Sequence, residues 1–212
     1  MIELIIWDYN GTVIDDVDTT VASVNEMLAR RGLEPTNKAV YTENLVMPLE
    51  KYYATVGIYN ADISTLSIEF HKGCLNNESL SHIFNDFIPA ISKSKALGIS
   101  NILLSSLYDG FLSEEVNKYD IREYFDFICG MKDTSVGSKT DNAKNYLIKN
   151  GINPKNVLFI GDLLSDAQTA KEIGANCILV SRGHCSHSRL EKTGLPVFTS
   201  LEKALDFALS VY

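Results

Sequence analysis

The chain has 212 residues, 45% of them hydrophobic and 22% charged, with a formal net charge of −8. That length allows one core domain with a modest insertion, stable without disulfides or a structural metal. The acidic balance argues against nucleic acid or an anionic membrane surface as a partner, and no apolar run is long enough to span a bilayer.

Ile2 to Trp7 is a short continuous apolar run and predicts a buried strand ending at Asp8. The opening Met1-Ile2-Glu3-Leu4 lacks the basic leader of a secretory signal, so a cytoplasmic protein is expected. Residues 16–96 then follow a different rhythm. Thr19 to Arg31 carries Val21, Val24, Met27 and Leu28 on one stripe before Gly32, a helix with its stop. Thr36, Pro48, Gly57 and Pro89 punctuate further helix-like pieces, with no convincing strand among them. The expectation is an all-helical domain over 16–96, inserted into a core made of 1–15 and 97–212.

Strand-like runs return at Ile102 to Leu104, Phe127 to Cys129, Val157 to Ile160 and Cys177 to Val180. Between them, residues 140–150 stop at Gly151, and residues 165–173 start at Ser165 as N-cap and stop at Gly174. Ser200 to Leu209 places Leu201, Ala204, Leu205 and Ala208 on one face and closes the chain as a helix. Apolar strands alternating with helices predict an α/β fold with a doubly wound parallel sheet covered on both faces. The four cysteines form no CxxC pair, and Cys129 and Cys177 fall inside strand-like runs, so buried reduced thiols are expected.

Four places carry candidate chemistry. Asp8-Tyr9-Asn10-Gly11-Thr12 follows the first strand, and ligands of open α/β sheets sit at the carboxyl ends of strands. Gly11 lets the chain turn and leaves backbone N–H groups facing an anion. Gly161-Asp162-Leu163-Leu164-Ser165-Asp166 puts Asp162 and Asp166 past a later strand, where oxygen ligands suit a magnesium ion. Acids near a helix start also serve simply as caps. Ser105 and Ser106 follow a middle strand, and Lys139 opens a helix, where its charge could hold a phosphate oxygen. Each of these alone is an ordinary turn, cap or surface residue.

In that order, DxNGT, Ser, Lys and GDxxxD resemble the haloacid dehalogenase superfamily of phosphohydrolases, from Met1 to about Val180. The likeness is to the phosphoglycolate-phosphatase-like group, with a small helical cap where residues 16–96 lie. The resemblance implies an enzyme in which Asp8 attacks phosphorus and forms an aspartyl-phosphate. It implies that Ser105, Ser106, Lys139 and the backbone at Gly11 bind the phosphoryl group. Mg2+ would be held by Asp8, the Asn10 carbonyl and Asp162, while Asp166 either ligates through water or orients Lys139. The implied substrate is a small phosphorylated metabolite, and a monomer or small homo-oligomer is expected.

One position departs from the pattern. The catalytic acid/base of these phosphatases is a second Asp two residues after the nucleophile, and here it is Asn10. An amide delivers no proton near neutral pH, and losing such a group costs roughly 10²–10⁴-fold in rate. A phosphate-binding pseudoenzyme, or a hydrolase of carbon–phosphorus or carbon–halogen bonds, therefore stays open beside a slow phosphatase. Asp15 and Asp16 are taken as the acidic start of the linker. Ser181 to His187 is taken as a loop or a rim contact to substrate rather than a metal site.

Overall fold

The computed structural model describes residues 1–59, 61–132 and 138–212. The first apolar run becomes β1 (Leu4–Trp7), followed by the two-residue β2 (Ile14–Asp15). Four helices follow: α1 (Val17–Ala29), α2 (Lys38–Asn44), α3 (Leu49–Thr55) and α4 (Ile63–Asn76). The chain returns through β3 (His82–Ile83) and α5 (Phe87–Ala96) into β4 (Ser100–Tyr108). It then alternates through α6 (Asp109–Lys118), β5 (Phe127–Met131), α7 (Lys139–Asn150), β6 (Val157–Gly161) and α8 (Leu164–Ile173). The last elements are β7 (Asn176–Val180), α9 (His187–Glu191), β8 (Val197–Phe198) and α10 (Leu201–Val211).

Six strands form one parallel sheet in the order β5-β4-β1-β6-β7-β8. The chain winds from β1 out to β5 on one side and then from β6 to β8 on the other, so β1 and β6 flank the switch point. Alternate residues of the central strands feed two different cores. Ile5, Trp7, Leu158 and Ile160 join Phe87, Leu112 and Leu205 on one face, while Leu4, Ile6, Val157 and Phe159 join Ala143, Leu147 and Ala170 on the other. Burial on both faces explains why these strands are apolar throughout rather than alternating. Among the described residues no helix is long and apolar enough to cross a membrane.

The insertion differs from expectation in three ways. β2 and β3 pair antiparallel, so a short ribbon stands at its stem; a two-residue strand has too little alternation to show in sequence. α5 packs against the core sheet through Phe87, Ala90 and Ile91, whereas α1 to α4 share a separate cluster around Val24, Met27, Tyr41 and Tyr52. Pro89 does not interrupt α5, because it sits in the first turn, where its missing N–H costs no helical bond. Cys177 is buried as expected, but Cys129 is only partly so, because β5 is the edge strand.

Candidate active site

Trp7 stands in register with Leu103 of β4 and Ile160 of β6. The next residue, Asp8, still donates its N–H to the Ile160 carbonyl at 2.9 Å, so the ladder anchors it. Gly161 ends β6 and delivers Asp162 to the same edge. Asp8, Asp162 and Asp166 are all buried, and each offers a carboxylate oxygen within 4.8 Å of the other two.

Lys139 enters this cluster from the first residue of α7. Its ammonium donates to Asp8 Oδ1 and, at 2.6 Å, to Asp166 Oδ1. The helix start is satisfied without it, since Ser138 and Asp141 form a reciprocal capping box. Asp166 is held from its other side: Oδ2 accepts the backbone N–H groups of Asp162 at 3.1 Å and Leu163 at 2.9 Å. That corrects the expectation for α8. Its N-cap is Leu163 rather than Ser165, and Asp166 satisfies the free N–H groups from inside the helix.

Two glycines are required by closeness rather than by flexibility alone. A Cβ on Gly11, which sits at φ +72°, would lie 2.3 Å from Asp162 Oδ2; one on Gly183 would lie 2.2 Å from the same oxygen. Asp162 is thus packed against bare backbone. Its Oδ2 accepts the His184 N–H at 2.5 Å, and Oδ1 receives the Thr12 hydroxyl at 3.4 Å.

A second cluster adjoins the first. Asp16 Oδ1 accepts from the Gly11 N–H at 3.0 Å and faces His184 Nε2 at 3.0 Å, while Asp16 Oδ2 accepts from the Asn10 amide at 2.8 Å. His184 Nδ1 meets the Tyr41 hydroxyl of α2 at 2.9 Å. Asp16 and His184 are both buried. Asp16 does stand at the start of the insertion, and His184 in the loop after β7, but both side chains are buried and turned towards each other.

Charge explains the titration of these groups. Burial and the neighbouring Asp166 push Asp8 up to about 6 against the pull of Lys139. Burial drives Asp162 well above the ordinary range, only partly offset by His184, with Asp8 and Asp166 adding to the rise. Burial would lower Lys139, but Asp166 and Asp8 outweigh it and hold the ammonium above its usual range. Burial likewise opposes the charge on His184, and Asp16 reverses this to about 9. Asp16 is raised by burial, but His184, Asn10 and Gly11 together bring it below the carboxylate norm.

Of the residues singled out in the sequence, Asp8, Asp162, Asp166 and Lys139 come together, with Gly11 against Asp162. Asn10 is partly buried, with its amide turned to Asp16. Ser105 is buried, one residue past Leu104, and its hydroxyl oxygen accepts from the Leu107 N–H at 3.0 Å. Its strand does not close there but crosses a register shift and runs to Tyr108, which leaves Ser106 exposed. Sequence reasoning missed Thr12, Asp16, Gly183 and His184. The available signal was Gly183-His184 just beyond β7, at an edge where ligands collect.

The donors fit a divalent cation. Asp8, Asp162 and Asp166 converge as hard oxygen donors, and the burial and crowding that raise Asp8 and Asp162 are what a bound cation would relieve. Between the insertion and the core lies a pocket of about 210 Å³ lined by Leu45, Val46, Met47, Leu163, Ser165 and Arg189.

A parallel sheet that brings carboxylates and a lysine to the ends of its central strands defines a doubly wound α/β enzyme. Residues 5–180 match the model of the haloacid dehalogenase-like hydrolases, and the chain belongs to that family. Phosphoglycolate phosphatase of Pseudomonas putida is 26% identical over 196 residues, covering 88% of this chain and 71% of that protein. Enolase-phosphatase E1 of Schizosaccharomyces pombe is 30% identical over 131 residues, covering 62% and 60%. A haloacid dehalogenase-like family hydrolase from Streptococcus pneumoniae superposes with a TM-score of 0.84 at 18% identity, covering 97% of this chain and 98% of the other, which shows the shared fold. Within the family the chain is phosphatase-like.

Proposed function

We propose that the protein is a magnesium-dependent phosphohydrolase of a small phosphorylated metabolite, acting through an aspartyl-phosphate on Asp8. The observation that supports this best is the buried cluster of three converging carboxylates, in which Lys139 is shared by Asp8 and Asp166. Magnesium would be held by Asp8, Asp162 and the Asn10 carbonyl, and would supply charge neutralisation to an anion approaching an anionic nucleophile. Asp8 is the nucleophile because it lies at the central strand end beside the lysine. Lys139 pairs with the phosphoryl oxygens and keeps the nucleophile aligned. Asp166 orients Lys139, since its two oxygens already take three N–H donors. Ser105 completes the phosphate cradle. Contrary to expectation, the backbone at Gly11 does not join it, because the Gly11 N–H goes to Asp16 and Ile14 and those of Thr12 and Val13 to the Tyr9 carbonyl. The free thiols of Cys74, Cys129, Cys177 and Cys185 suit a reducing compartment such as the cytoplasm.

Phosphate release from a panel of phosphate esters, with magnesium and then with chelator, tests this reading. Turnover that vanishes with chelator supports it. Equal turnover in both, or none with any ester, rejects it.

A further inference from the structure

The side-chain amide of Asn10 is locked in one orientation. A carboxylate only accepts hydrogen bonds, so the contact of 2.8 Å to Asp16 Oδ2 must come from the amide nitrogen, and the amide oxygen faces away. Asp16 is the N-cap residue of α1, where an aspartate ordinarily accepts from the first N–H groups of the helix. Here its side chain makes no such bond. It turns inward instead, and its oxygens are taken by Asn10, Gly11 and His184. His184 is engaged at both ring nitrogens, by Asp16 and by Tyr41.

Asn10 therefore has no proton to give, and the acid and the imidazole beside it are committed to holding it in place. Both oxygens of Asp16 and both ring nitrogens of His184 are already engaged within this cluster, so neither side chain is turned to serve a substrate. Nothing in this pair of clusters replaces the missing acid.

We infer that the site acts on phosphate derivatives whose leaving group departs unprotonated, namely aryl, enol and acyl phosphates, rather than on alkyl phosphates. This rests on the phosphohydrolase reading above. In the first step an oxygen of Asp8 bonds to phosphorus and the bond from phosphorus to the leaving oxygen breaks. The electron pair leaves with that oxygen as a phenolate, enolate or carboxylate, and no proton is consumed. In the second step water bonds to phosphorus, the Asp8 oxygen–phosphorus bond opens with its pair returned to Asp8, and the proton of water goes to the departing phosphate.

The test is a series matched in shape but not in leaving-group basicity. The full-length protein with magnesium is assayed on substituted phenyl phosphates, on acetyl phosphate, and on benzyl phosphate, an alkyl ester of similar bulk. kcat/KM is read because it reports the step that breaks the leaving-group bond. Peptide mapping on the same preparation establishes that residue 10 is still Asn, since an Asn-Gly pair deamidates to Asp. The expected result is a steep fall with leaving-group basicity, with benzyl phosphate roughly 10²–10⁴-fold below nitrophenyl phosphate, the contribution a positioned acid would have made. Comparable kcat/KM across the series overturns the inference and leaves the phosphohydrolase standing. Absence of turnover on every member overturns both.

Discussion

The carboxyl edge of the sheet and the helical insertion are built on opposite terms. At the edge, Asp162 is gripped by the His184 N–H, the Thr12 hydroxyl and two glycines that leave no room for a methyl group. Asp166 and Lys139 are fixed with similar closeness. The insertion instead holds itself together through its own apolar cluster, which Leu163 of the core joins, while His71 of α4 stacks on Phe111 of α6. Its polar contacts with the core lie in two places. On α2, Tyr41 meets His184 and the Thr42 carbonyl accepts from the Ser186 N–H at 3.1 Å and Arg189 at 2.9 Å. Beyond α4, Glu78 accepts from Lys118 at 3.0 Å and the Ser81 carbonyl from the Tyr119 hydroxyl at 3.3 Å. Each such bond contributes about 0.5–1.5 kcal/mol, so this seam can open at modest cost while the edge cannot shift without losing the site. Chemistry and closure thus depend on different kinds of contact, and substitutions on the two sides should fail differently.

The largest effect is expected at the edge. Asp8→Asn should reduce phosphate release by roughly 10³-fold or more, the scale seen when a covalent nucleophile is removed. It should also stabilise the metal-free protein. The Asp8 pKa is raised from 3.8 to about 6, so its charged form is disfavoured in the fold, and stability is lost as pH rises through that window. Thermal unfolding in chelator should show the Asp8→Asn variant ahead of wild type above pH 6, with the gap narrowing towards pH 4. A variant that is less stable at neutral pH would show that burial and the neighbouring Asp166 do not outweigh the pull of Lys139 on Asp8.

Asp162→Ala comes next. Removing one donor should weaken magnesium dependence more than Asp166→Ala does, as a rightward shift of the activation curve by roughly 10–100-fold. A curve that shifts more for Asp166→Ala would exchange the two roles. Gly183→Ala probes closeness alone, since nothing but a methyl group is added 2.2 Å from Asp162 Oδ2. It should cost about 1–3 kcal/mol in denaturant unfolding and weaken magnesium activation, whereas an unaffected variant would mean that the edge yields easily.

The smallest effect belongs to the seam. Tyr41→Phe removes the hydroxyl from His184 and keeps the ring packed on Tyr52. KM should rise several-fold, in line with about 1 kcal/mol, while kcat stays within about twofold. A collapse of kcat instead would place Tyr41 in the chemistry rather than in closure.

What was legible in the sequence follows the same division. β1, β6 and β7 are apolar because both their faces are covered, so they and the acids at their ends could be read from a window of a few residues. Asp8, Lys139, Asp162 and Asp166 were found because each directly follows a strand or opens a helix. Asp16 and His184 were not, because their roles depend on a contact between residues 168 positions apart. As an N-cap, Asp16 looks ordinary until its side chain is seen to bond elsewhere. α5 was grouped with the insertion because its amphipathic pattern says that it packs, but not against what.

Whether Asp8 carries the phosphoryl group can be tested without reference to rate. The protein is mixed with magnesium and nitrophenyl phosphate, quenched in acid within the first turnovers, digested, and mapped by mass spectrometry. One added phosphoryl group is expected on the peptide containing Asp8, lost on chase and absent from the Asp8→Asn variant. Phosphate released with that peptide never modified, or a phosphoryl group found on another residue, would contradict it.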